Sequence, residues 1–97
     1  MNDYVRWALS QWNIPHSARI CLAFMMDMEL NISYSTLAFV KECPVSSKTL
    51  NSRVFAILEK EGYIKNYKKN SKRYFILLKR GQQTVSETIN PTLLSLK

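Results

Sequence analysis

Seven basic side chains, Lys65, Lys68, Lys69, Lys72, Arg73, Lys79 and Arg80, fall between Gly62 and Ser86 without one acid among them. Ammonium and guanidinium groups at that density attract a polyanion, because their fields add over one stretch of surface. The rest of the chain lacks this bias. Met1 to Glu61 holds six basic and six acidic residues, so the net charge of +7 on 97 residues is concentrated in one segment. Nucleic-acid phosphate is the polyanion that such a pattern suits, and a solvated basic face is the alternative.

Other reactive side chains point to little chemistry. The one histidine, His16, follows Pro15 with no carboxylate or cysteine nearby in sequence, so no catalytic group and no enzyme activity is expected. Met25, Met26 and Met28 lack His or Cys neighbours at ligand spacing and read as core filler, so neither a metal nor another cofactor is expected. Cys21 reads as core, and Cys43, near a turn, as more exposed. A disulfide between them is not expected in a reducing compartment, and a redox role for Cys43 is a minor alternative, since Lys41 is the one basic group close to it in sequence. The longest apolar run, Ile20 to Met26, is seven residues against the roughly 20 of a membrane span. With no secretory leader in view, the expected location is cytoplasmic, and nucleoid-associated when bound.

These residues need a frame. Apolar residues at 46% and aromatics at 11% describe one packed domain over 1–97. A leading helix occupies 1–16, with Tyr4, Val5, Ala8, Leu9 and Trp12 at helical spacing, and Trp7 and Trp12 read as structural. Ser17 to Leu30 forms a second helix, capped by Ser17 and apolar nearly all round. Ser33 caps a third through Leu37, Ala38, Phe39 and Val40, which breaks at Cys43 and Pro44. Ser46 or Ser47 caps a fourth that stops at Gly62. At about 100° per residue, Leu50, Val54, Ile57 and Leu58 of that helix face the core. Lys48 and Ser52 lie opposite with Thr49 beside them, and Asn51 and Arg53 sit at the margins, which are donors suited to base edges in a DNA major groove.

Tyr63 to Tyr67 and Arg73 to Leu78 are aromatic and β-branched flanks of a hairpin, and its tip, Lys68, Lys69, Asn70, Ser71 and Lys72, is wholly polar. A basic hairpin after two helices joined by a tight turn can lie along phosphate beside a groove-reading helix.

With those elements in place, the stretch from Ser17 to Gly81 resembles a winged helix-turn-helix domain of prokaryotic or mobile-element type. Ser33-Tyr-Ser-Thr-Leu-Ala is similar to the start of the second helix, and Val45-Ser-Ser-Lys-Thr-Leu to the turn and opening of the recognition helix. Leu58-Glu-Lys-Glu-Gly-Tyr-Ile matches the helix-to-wing junction. Leu77-Leu-Lys-Arg-Gly is similar to the wing exit of MarR-like regulators, and the aromatic lead also resembles winged domains of plasmid and phage replication proteins. The implied fold is mainly α with a β-hairpin wing (α+β), with a core over 17–81 and a C-terminal helix or tail over 82–97.

The resemblance implies DNA contacts from Ser47, Lys48, Thr49, Asn51, Ser52 and Arg53 on the recognition helix, from Lys65, Lys68, Lys69, Asn70, Ser71, Lys72 and Arg73 on the wing, and to the backbone from Ser33, Tyr34 and Ser35. Counted back from Leu58, the family's apolar position lands on Asn51 with Leu50 one residue early, which leaves the reading register open by one. The expected function is sequence-specific binding of double-stranded DNA by a small transcriptional regulator that represses by occlusion. A replication or recombination accessory protein and a protein-interaction module are the alternatives. A homodimer is expected through Trp7, Trp12 and the apolar residues Val85, Ile89, Leu93, Leu94 and Leu96, unless these only close the core.

Overall fold

A computed structural model describes residues 2–81 and the backbone of residues 83 and 84; the remaining C-terminal residues named for the dimer lie outside the described residues. It shows a small α+β domain with four helices and a three-stranded antiparallel sheet among the described residues. None of these helices is long and apolar enough to cross a membrane.

Helix α1, Asp3–Leu9, begins where Asn2 Oδ1 accepts the Val5 N–H at 2.8 Å. Helix α2, His16–Phe24, starts after Pro15 with no side-chain cap, so Ser17 lies inside the helix instead of capping it. It also ends six residues before Leu30. Met25 closes it as the C-cap, its N–H on the Cys21 and Leu22 carbonyls, and Met25 and Met26 are both buried in the turn that follows. Asn31, with φ of 61°, then reverses the chain and donates its N–H to the Leu77 carbonyl.

That bond leads into β1, Ser33–Ser35, where a helix start is expected from sequence. Ser35 takes the capping role assigned to Ser33: its Oγ accepts the Ala38 N–H at 3.3 Å at the head of α3, Thr36–Glu42. Helix α4 covers 47–60. Ser46 Oγ accepts the Thr49 N–H, Ser47–Thr49 is α-helical, Leu50–Val54 forms a π-helical turn, and Phe55–Lys60 returns to α geometry.

Strands β2, Ile64–Lys69, and β3, Lys72–Leu77, pair antiparallel across a two-residue turn in which Asn70 and Ser71 both have positive φ, 53° and 65°. β1 pairs with the other side of β3, giving the order β1-β3-β2. Phe39 of α3, Phe55 of α4 and Phe75 of β3 meet with ring centroids 5.3 to 6.1 Å apart and join the helices to the sheet. Trp7 packs edge-on to Tyr63 as a structural residue, whereas Trp12 is 77% exposed under the Arg19 guanidinium, contrary to the structural role assigned to it. A short ribbon, β4 (Lys79–Arg80) with β5 (Gln83–Thr84), follows the sheet.

Gly81 turns that ribbon at φ +70°, and a Cβ there would lie 2.7 Å from Tyr4 Cδ1. Gly81→Ala is expected to lower the unfolding free energy by about 2 kcal/mol or more, from the left-handed backbone and displacement of the ring together. Gly62→Ala, at φ +83° but facing only the Lys79 side chain at 3.6 Å, costs about 1 kcal/mol. Urea unfolding of the two variants checks the order.

Candidate nucleic-acid interface

The π turn decides which side chains of α4 are outside. In a uniform α-helix Leu50 would stand about 80° round from Leu58. Here the Phe55 N–H bonds to the Leu50 carbonyl five residues back, the turn takes in an extra residue, and Leu50, Val54, Phe55 and Leu58 are all buried. This accounts for Leu50 coming one residue early. Asn51 is exposed, as are Ser47, Lys48, Ser52 and Arg53, while Thr49 is half-buried and its hydroxyl accepts that of Ser46.

The hairpin is fastened to this helix at two levels. Asn66 Nδ2 donates to the Phe55 carbonyl at 3.2 Å and to Glu59 Oε1 at 2.9 Å. Nearer the tip, the Arg73 guanidinium donates to Asn51 Oδ1 at 2.8 Å. Asn51 is neutral, so this contact brings no opposing charge to the guanidinium. Between the start of α3, α4 and the hairpin tip lies a groove of about 400 Å³ lined in part by Ser35, Leu37, Asn51, Ser71, Lys72 and Arg73. Sequence reasoning missed two of its features. Leu37 stands 65% exposed at this groove, and Thr36 Oγ1 is buried there without a protein hydrogen-bond partner. Neither a lone leucine nor a lone threonine at a helix start carries a sequence signal.

The residues expected on the second helix are dispersed. Ser35 lines the groove. Tyr34 turns inward against Phe75, and its hydroxyl accepts the Glu29 N–H; Ser33 meets the Tyr67 hydroxyl on the opposite face of the sheet. Lys65 pairs across from Ile76, away from the groove, while Lys68, Lys69, Asn70, Ser71, Lys72 and Arg73 are exposed about the tip. The one ion pair among the described residues joins Arg6 to Asp3, which leaves all of these cations without an acidic partner there. A second, larger groove of about 570 Å³ between α1, α2 and α3 is lined by Asp27 and Glu42 and has the wrong charge for a polyanion.

Cys43 is buried, not exposed, at 9%. The Cys21 thiol beside it lowers its pKa to about 7, helped by the Val45 N–H and opposed by burial, while hydrogen bonding to Cys43 and burial push Cys21 far up. Cys21→Ala removes the main cause. Alkylation of native Cys43 by iodoacetamide, followed by mass spectrometry, is expected to rise with pH about a midpoint near 7 in the parent protein, and to shift toward the ordinary thiol range in the variant. The chain matches no family model, no curated protein and no solved structure.

Proposed function

We propose that this chain is a winged helix-turn-helix protein that binds double-stranded DNA in a sequence-specific manner, as a small transcriptional regulator acting by occlusion and without catalysis. The order α2, β1, α3, α4, β2, β3 with the strand order β1-β3-β2 supports the fold reading. The observation that carries the functional reading is the joining of α4 to the wing through Arg73 and Asn51, which makes one surface of exposed donors and acid-free cations around a groove. A helix fits the roughly 12 Å width of the major groove, and the wing then meets phosphate beside it. Lys48 and Ser52 read base edges in this arrangement, with Asn51 holding Arg73 in place.

A homodimer on twofold half-sites suits a domain of this size, and exposed Trp12 offers an apolar contact for it. Selection of bound sequences from a random duplex pool tests the reading: a palindromic motif is expected, and an unenriched pool would overturn it in favour of an interaction module. Neutralising Lys68 and Lys72 together is expected to weaken binding to every duplex and to reduce the slope of log K against log salt by about 0.9 for each phosphate that these lysines neutralise. Lys48→Ala or Ser52→Ala instead costs about 1 to 3 kcal/mol on the selected site and much less on random DNA. Titrations on both duplexes at several salt concentrations separate the two roles.

A further inference from the structure

The face of the sheet turned away from α3 and α4 carries a pattern that duplex reading leaves unused. Strand alternation and register place Lys65, Tyr67 and Lys69 of β2, Tyr74 and Ile76 of β3, and Ser33 of β1 together, opposite the buried Ile64, Phe75 and Leu77. Tyr67 and Tyr74 are direct cross-strand partners. Their rings stack with centroids 5.5 Å apart and an interplanar angle of 24°, and both side chains are half-buried. The Tyr67 hydroxyl meets Ser33 Oγ, so this side chain reaches from β2 across β3 to β1 and is held at both ends. Lys65 and Lys69, four residues apart on one strand, stand about 13 Å apart with the ring pair between them. No acidic residue occurs on these three strands.

We propose that this face binds single-stranded nucleic acid, with bases stacking on the Tyr67 and Tyr74 rings and phosphates held by Lys65 and Lys69. The rings choose the strand state. In a duplex the faces of the bases are covered by their neighbours, so phosphate attraction alone would use the lysines and leave the tyrosines idle; an unpaired strand presents both a π-face and a phosphate at each step. The stack and the bond to Ser33 fix the platform before binding, which limits the ordering cost. Ser35 and Lys72, the cross-strand partners of Tyr74 and Lys69, also line the groove beside α4, so the two surfaces meet there, but Lys65, Tyr67 and Tyr74 lie outside that groove and duplex recognition does not use the rings.

Fluorescence anisotropy with labelled 12-mers of oligo(dT) and oligo(U), and with a 12-base-pair duplex, tests the proposal on the full chain. At least one single strand is expected to bind. Tyr74→Leu should weaken that binding by about fivefold to a hundredfold, while Tyr74→Phe, which keeps the ring, binds as the parent does and duplex affinity stays within about twofold. Should the leucine variant fail to fold, photo-crosslinking of the parent protein with 5-iodouracil strands decides, with adducts expected on Tyr67 or Tyr74. Absence of single-strand binding, equal affinity of the leucine and phenylalanine variants, equal losses on duplex and single strand, or adducts confined to the wing tip and α4 would each overturn it. Lys48→Ala affects only the duplex, so failure of duplex reading and failure of this proposal are told apart.

Discussion

One extra residue in the middle of α4 governs the rest of the molecule. The turn from Leu50 to Val54 gives up the regular spacing of α-helical hydrogen bonds, which is unfavourable locally. In return it brings both Leu50 and Phe55 into the core, and burying each side chain is worth about 1.5 to 3 kcal/mol. The gain exceeds a local defect in one turn. With Leu50 and Phe55 both inside, Asn51 leaves the protein on the side where the hairpin stands and meets Arg73, and Lys48 and Ser52 are exposed.

The hairpin stands there because of Phe75. From the middle strand, its ring touches Phe39 and Phe55, which ties the sheet to α3 and α4 through one buried contact. Asn66 then satisfies a main-chain carbonyl of α4 from the neighbouring strand, and Arg73 reaches Asn51 farther out. Burial supplies the energy of this junction, while the two polar side chains fix its orientation. A proposed DNA surface built from a helix and a hairpin needs that fixity, because two elements free to rock would lose the benefit of binding together.

Charge is segregated to match. The cations of β2, β3 and the intervening turn have no acidic partner among the described residues, and solvated surface ion pairs would have added little stability in any case. Leaving them unpaired costs the fold little and keeps their field available to phosphate. Asp27 and Glu42 line the other groove, and the Cys21–Cys43 pair lies in the core, with Cys43 directly after Glu42 in the chain. Of the two thiols, Cys43 gains acidity from its neighbour and from the Val45 N–H, a perturbation that no basic residue nearby in sequence could announce.

Local chemistry along the chain was enough for part of this architecture. The polar tip Lys68 to Lys72 between β-forming flanks specifies the hairpin, though the strands reach Lys69 and Lys72 and leave only Asn70 and Ser71 to turn; Ser46 or Ser47 marks the start of α4, where Ser46 is the cap, Gly62 ends it, and the run from Lys65 to Arg80 locates the charge. The rest came from packing between distant segments. β1 exists because β3 offers it hydrogen bonds from some forty residues away in sequence, and three residues of Ser-Tyr-Ser have no strand signal of their own. Helix α2 stops at Phe24, although its apolar run continues through Met25 and Met26. The register of α4 followed from packing as well: counted along the chain it stays open between Leu50 and Asn51, and burial of both Leu50 and Phe55 goes with the π turn that leaves Asn51 exposed beside the hairpin. Such choices depend on partners distant in sequence, and a local pattern holds no record of them.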